Sequence, residues 1–205
     1  MTGRWSAVVV FKGRGTSKTR LELEGRAALA EAFLLDTLAA VAAADRVGTI
    51  VLVTSDEAAA SLARHESPGL VVVPDPGALN PAVTAGIEAA LLLDPSASVV
   101  ALTGDLPALD PAALDAALAA AAPLPAVVAD RAGTGTTALL VGATERVDPA
   151  FGPGSLARHR SAGCRVLDVP VGSTLRLDVD TVEDLRDAEA AGVGPRTALV
   201  LAAAA

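Results

Sequence analysis

At 205 residues, 52% of them hydrophobic, the chain is long enough for one well-buried core and short for two, so a single domain over 1–205 is expected. A net charge of −8 and an isoelectric point near 4.7 exclude the broad cationic surface that nonspecific binding to nucleic acid or to anionic membrane requires. No apolar stretch approaches the roughly 20 residues of a membrane span, "AVVVF" before Lys12 is too short for a signal-peptide core, and one cysteine, Cys164, allows no internal disulfide; the expected location is cytoplasmic.

The first predicted strand, "SAVVVF", runs into "FKGRGTSKTRL". That segment holds the chain's only two lysines, Lys12 and Lys18, together with Arg14 and Arg20. A loop after an apolar strand lies at the carboxyl edge of a sheet, where open α/β folds bind ligands. Positive charge concentrated there in an acidic protein points to a phosphate-binding loop, with Lys12, Lys18 and Arg20 as candidate contacts to a nucleotide. "GRGTSKT" resembles a Walker A loop but carries Ser17 where that motif needs glycine.

A helix over 24–44 follows, then "TIVLVTS", a helix over 56–65, "LVVVP", a helix over 79–93, "SVVAL", a helix over 110–121 and "AVVAD". Nearly all-apolar strands alternating with Ala/Leu-rich helices predict an α/β fold, a three-layer α/β/α sandwich around a mostly parallel sheet. Asn80, in "ALNPAVTAGI", suits either an N-cap or a contact to a nucleotide base or ribose. From Arg131 the rhythm changes to "GTGTTALLVG", a short helix near 155–162, "CRVLDVP", "LRLDVD" and a final helix over about 182–191, which predicts added antiparallel or edge strands.

"ALTGDLPALDP" places Asp105 at the carboxyl end of a strand, where it either caps a turn or binds a ligand. In "TLRLDVDTVEDL", Asp178 and Asp180 stand two apart, and a strand would point both to one face. Three carboxylates at strand ends repel one another unless a cation lies between them, and hard oxygen ligands suit Mg²⁺ with bound phosphates. Thr181 and Asp184 also fit a capping box for the last helix, which is compatible with the metal reading.

"GTGTTALL" supplies Gly133, Gly135, Thr136 and Thr137. "FGPGSLARH" supplies Gly152, Gly154 and Ser155 at a helix start, where free amides and the dipole favour an anion. Together they suggest a second phosphate pocket, separate from the cationic loop. His65 and His159 lack partners at metal-ligand spacing and read as surface or helix-end residues, and no catalytic triad is visible.

These four motifs, "FKGRGTSKTRL", "GDLPAL", "GTGTTALL" with "FGPGSLARH", and "LDVDTVEDL", resemble in residues and order the guanylyltransferases of coenzyme F420 biosynthesis, which join GMP from GTP to phosphoenolpyruvate or 2-phospho-L-lactate. The similarity spans about residues 7 to 188. It implies a nucleotide-diphospho-sugar transferase (GT-A-like) fold similar to the molybdenum-cofactor nucleotidyltransferases, with Mg²⁺ ligands at Asp105, Asp178 and Asp180 and acceptor contacts at Thr137, Gly152 and Ser155. By that resemblance the partners are GTP and a three-carbon phosphorylated acid. A phosphate is already an anion at neutral pH, so attack on the α-phosphorus needs no general base, and catalysis reduces to positioning and charge neutralisation, Lys18 and the three aspartates carrying it. Two rival readings remain: a sugar-phosphate or molybdopterin nucleotidyltransferase on the same fold, and a non-catalytic GTP-binding sensor. The acceptor and the oligomeric state are not legible in the sequence.

Overall fold

In a computed structural model the described residues are 4–13, 25–145 and 147–204. Lys18 and Arg20 lie outside them. A seven-stranded sheet has the order β3-β2-β1-β4-β6-β5-β7. Its strands are β1 (Trp5–Val10), β2 (Val47–Val53), β3 (Val71–Val73), β4 (Val99–Thr103), β5 (Ala126–Ala129), β6 (Thr136–Val141) and β7 (Arg165–Val166). Among the described residues only β6 runs against its neighbours, pairing antiparallel with both β4 and β5. The mostly parallel sheet and the antiparallel addition after Arg131 match the sequence expectation.

Beyond β1 the chain steps outward to β2 and β3, and β4 returns to pair with the other side of β1. The carboxyl ends of β1 and β4 therefore flank the point where the winding reverses, the place where open α/β sheets bind ligands. Gly104 N–H donates to the Val10 carbonyl at 3.0 Å, tying the turn after β4 to the end of β1.

β-Branched strand residues are buried on both faces, and two helical layers cover them. On one face Val8, Val10, Val51, Val53 and Leu139 meet Ala82, Val83 and Ala90 of α3 (Leu79–Leu93). That helix lies close to the sheet because Gly86 has no side chain: a Cβ there would stand 2.3 Å from Val8 Cγ1. On the other face Val9, Leu52, Leu102 and Leu140 meet Leu34 and Leu38 of α1 (Arg26–Ala43), Ala59 and Ala63 of α2 (Glu57–Glu66), and Leu114 of α4 (Pro111–Ala119). The outer side of α1 is covered in turn. Leu29 and Phe33 pack with Leu185 of α6 (Val182–Ala191) and with Val200 and Leu201 of α7 (Pro195–Ala204).

Two expectations change. The segment predicted as a strand, "LRLDVD", has the alternating burial of one, Leu175, Leu177 and Val179 being inside. Yet it is a 3₁₀ turn (Thr174–Arg176) followed by chain outside the sheet, with Leu175 packed into the core cluster on one face of the sheet and Leu177 and Val179 packed with residues of α1 and α6. Helix α7 was not anticipated, since "AGVGPRT" offers no local cap. Its first amides are satisfied from a distance: Arg196 and Thr197 N–H donate to the buried carboxylate of Asp36 in α1, at 3.1 and 2.8 Å. Among the described residues no helix is long and apolar enough to cross a membrane.

Candidate active site

Because β6 is antiparallel to β4, its first residues lie beside the last residues of β4. A cavity of about 420 Å³ opens there, lined by Thr103 and Asp105 from β4 and its turn and by Thr136 from β6. Gly152 and Ser155 border it from the start of α5 (Ser155–Ser161), and Asp178 and Asp180 from the chain before α6. The structure thus brings together Asp105, Asp178 and Asp180 with Gly135, Thr136, Gly152, Gly154 and Ser155, all singled out in the sequence. Thr137, Asn80 and Lys12 do not line it, and Lys18 and Arg20 lie outside the described residues.

One backbone bond sets the acidic side. Val179 N–H donates to the Asp105 carbonyl at 3.0 Å, and the Val179 side chain is wholly buried, so the flanking Asp178 and Asp180 are turned toward the cavity. Thr103 Oγ1 donates to Asp105 Oδ1 at 2.5 Å, fixing that carboxylate's rotamer. Asp180 is exposed and Asp178 half-buried, so water relieves much of the repulsion that seemed to demand a cation. Among the described residues no group of three or more His, Cys, Asp or Glu side chains is arranged to hold a metal by itself. The expectation of Asp105, Asp178 and Asp180 closing around one ion is narrowed accordingly. Mg²⁺ is usually bound through one or two carboxylates plus substrate phosphates, and a cavity edged by Asp105, Asp178 and Asp180, with Asp130 already holding the glycine-rich loop, fits that shared mode. The capping box at the next helix is present: Thr181 Oγ1 accepts from Asp184 N–H, while the Asp184 side chain accepts from Thr181 N–H.

The glycine-rich loop is organised differently from the anion cradle expected. Thr134 and Gly135 N–H both donate to the Asp130 carboxylate, at 2.9 and 2.8 Å, so these amides are already used. Gly135 is required there, since a Cβ would fall 2.5 Å from Asp130 Oδ2. At the helix start Ser155 N–H donates to the Gly152 carbonyl and Leu156 N–H to the Thr134 carbonyl, so these amides too are partnered within the chain. A register shift where β5 meets the start of β6 pairs Ala129 with Thr136 and Val128 with Ala138, leaving Thr137 as the extra residue of a bulge. Thr137 Oγ1 is buried without a hydrogen-bond partner.

Three side chains hold the 150–155 segment. Asn80 is not a cap: it sits inside the first turn of α3, accepting from Phe151 N–H at 2.7 Å and donating to the Phe151 carbonyl at 3.3 Å. The Arg158 guanidinium donates to the carbonyls of Ala150 and Pro153. His159, read from the sequence as a surface or helix-end residue, is wholly buried. Its Nε2 accepts from Ala150 N–H and its Nδ1 lies 3.0 Å from Thr136 Oγ1, while burial, reinforced by Arg158, holds its pKa below the usual value. The overlooked signal was spacing, since His159 follows Ser155 by four residues and shares its helix face. Asp130 was overlooked as well, although an aspartate before a Gly-rich turn is a common loop closer.

On the nucleotide side Lys12 Nζ forms an ion pair with Asp75 at 2.8 Å, linking the end of β1 to the turn after β3.

Residues 12–167 match the family of MobA-like NTP transferase domains. The chain is 46% identical to the phosphoenolpyruvate guanylyltransferase of Streptomyces scabiei, over 97% of this chain and 96% of that one. It is also 46% identical to the phosphoenolpyruvate guanylyltransferase of Thermomonospora curvata, over 97% and 89%. Among solved structures, one named as a nucleotide-diphospho-sugar transferase from Desulfovibrio desulfuricans superposes with a TM-score of 0.66 at 21% identity, covering 89% of this chain and 85% of that one, a likeness of fold.

Proposed function

Because this chain belongs to the MobA-like NTP transferase family and, within it, to the phosphoenolpyruvate guanylyltransferases, we propose that it transfers GMP from GTP to the phosphate of phosphoenolpyruvate, releasing pyrophosphate, in the building of coenzyme F420. The observation that carries this reading is the cavity at the carboxyl end of β4, where Asp105, Asp178 and Asp180 are gathered with Gly152 and Ser155. On this reading one side takes a cation and a polyphosphate, and the other takes the acceptor through side-chain hydroxyls, since the Ser155 and Leu156 amides are already partnered.

An acceptor phosphate oxygen attacks the α-phosphorus of GTP, and the bond from that phosphorus to the bridging oxygen breaks, so pyrophosphate leaves with its electron pair. No proton has to move, in keeping with a cavity that no histidine lines. Asp105, Asp178 and Asp180 would hold Mg²⁺, which when bound neutralises phosphate charge. Asp105 is kept in place by Thr103, and the other two by the Val179 backbone bond. Gly152 and Ser155 receive the acceptor; Thr137, one residue behind the lining Thr136, would have to turn its buried, unpartnered hydroxyl toward the cavity to join them. Lys12, Lys18, Arg20 and Asn80 serve the nucleotide, the lysines and arginine as charge and Asn80 through the segment it grips. The reaction belongs in the cytoplasm, where GTP and phosphoenolpyruvate are available.

Mass spectrometry of products from GTP with phosphoenolpyruvate, 2-phospho-L-lactate, 3-phosphoglycerate and sugar phosphates in turn is the test. A GMP diester of phosphoenolpyruvate with one equivalent of pyrophosphate is expected. Turnover with sugar phosphates alone, or none with any acceptor, would replace the reading with one of its rivals.

A further inference from the structure

Two hydrogen bonds in series fix the polarity of one hydroxyl at the cavity wall. Ala150 N–H is a backbone donor, so His159 Nε2, 3.0 Å away, must accept. A neutral imidazole with Nε2 as acceptor carries its proton on Nδ1, which then donates to Thr136 Oγ1 at 3.0 Å. Thr136 Oγ1 shows no second partner among the described residues, and Thr136 lines the cavity, placed there by the bulge at the start of β6. With one lone pair engaged by the imidazole, the hydroxyl still has its own hydrogen to give to a ligand.

We propose that His159 is a positioning residue that orients the Thr136 hydroxyl to donate its hydrogen to an anionic oxygen of the three-carbon acceptor. The proposal rests on the guanylyl-transfer reading. The acceptor is favoured over the nucleotide because the imidazole belongs to α5, the helix that starts at Ser155, and its ring packs edge-on against Phe151, 5.4 Å between centroids, next to Gly152. A proton on Nε2 would break the bond to Ala150 and leave both ring nitrogens as donors, so complete burial of the ring protects the polarity. Arg158 is the charged neighbour that opposes that proton.

Two measurements test this on the full chain. Nitrogen-15 NMR at neutral pH should show one of the two histidines as the neutral Nδ1–H tautomer, a signal lost in His159→Gln. An Nε2–H tautomer or an imidazolium overturns the proposal, and this readout does not depend on turnover. In steady-state kinetics Thr136→Val should raise KM for the acceptor at least about tenfold with KM for GTP unchanged, as loss of a hydrogen bond to a charged group implies, and Thr136→Ser should restore it. His159→Gln should raise the same KM but add nothing further on top of Thr136→Val, the non-additivity expected of residues acting through one bond. Additive effects, a shift confined to GTP, or an acceptor KM within twofold of the wild type in Thr136→Val would each overturn it. A wild-type protein with the correct tautomer but no pyrophosphate release would instead sink the guanylyl-transfer reading.

Discussion

A neutral His159 is what burial dictates, since an imidazolium inside the fold has neither water nor a carboxylate to solvate it. Its folded pKa lies below the ordinary 6.5, so between those two values the unfolded chain takes up a proton that the folded chain refuses. Stability is therefore full above about pH 6.5 and falls as pH drops toward the folded value. Thermal melts from pH 7.5 to 5.5 should show Tm declining, with a shallower decline in His159→Gln; parallel curves would place the titration elsewhere. The acceptor pocket is equally local. Ser155→Ala and Thr137→Val each remove a hydroxyl that is at most 1% exposed, and each should raise KM for the three-carbon acid, at about 1.5 to 3 kcal/mol per contact to an anion. KM for GTP should stay within twofold, and the reverse pattern would mean that the two pockets are exchanged.

At the scale of elements, the site depends on parts that only meet when the sheet closes. Helix α7 is capped by Asp36 of α1, and Gly194 before it donates its N–H to the carbonyl of Pro107, two residues past Asp105. Asp36→Ala removes both acceptors from the first turn of α7 and leaves its donors buried, which should cost about 1 to 3 kcal/mol in denaturant unfolding. Hydrogen exchange should show α7 opening first, and unchanged protection there would mean that the apolar contacts of Val200 and Leu201 suffice. The absent side chain of Gly194 belongs to the same device, as a Cβ would fall 2.3 Å from Asp36 Cγ. The β6 bulge is a second such device, since a regular strand would put Thr136 and Ala138 on one face.

Across the whole molecule, the cavity joins the carboxyl end of β4 to a tail segment some 70 residues later, through the bond from Val179 to Asp105. Asp178→Asn and Asp180→Asn should each lower turnover by several orders of magnitude. Mg²⁺ with GTP should raise Tm of the wild type by ligand linkage, and do so less in the variants; equal shifts in all three would remove both residues from the metal. The strands, helices α1 to α6, the Asp105 turn and the Asp178/Asp180 pair were legible in the sequence, because each follows from local chemistry: β-branched runs, helical periodicity, a capping box and carboxylates after apolar segments. What the tertiary structure alone decided is which groups are already taken. Asp130 occupies the amides of the glycine-rich loop, Asn80 and Arg158 hold the 150–155 segment, Asp36 caps a helix 160 residues away, and His159 turns inward to Thr136. Residue type and spacing fix what a side chain can donate or accept, whereas its partner is set by which distant backbone the packed sheet brings within about 3 Å.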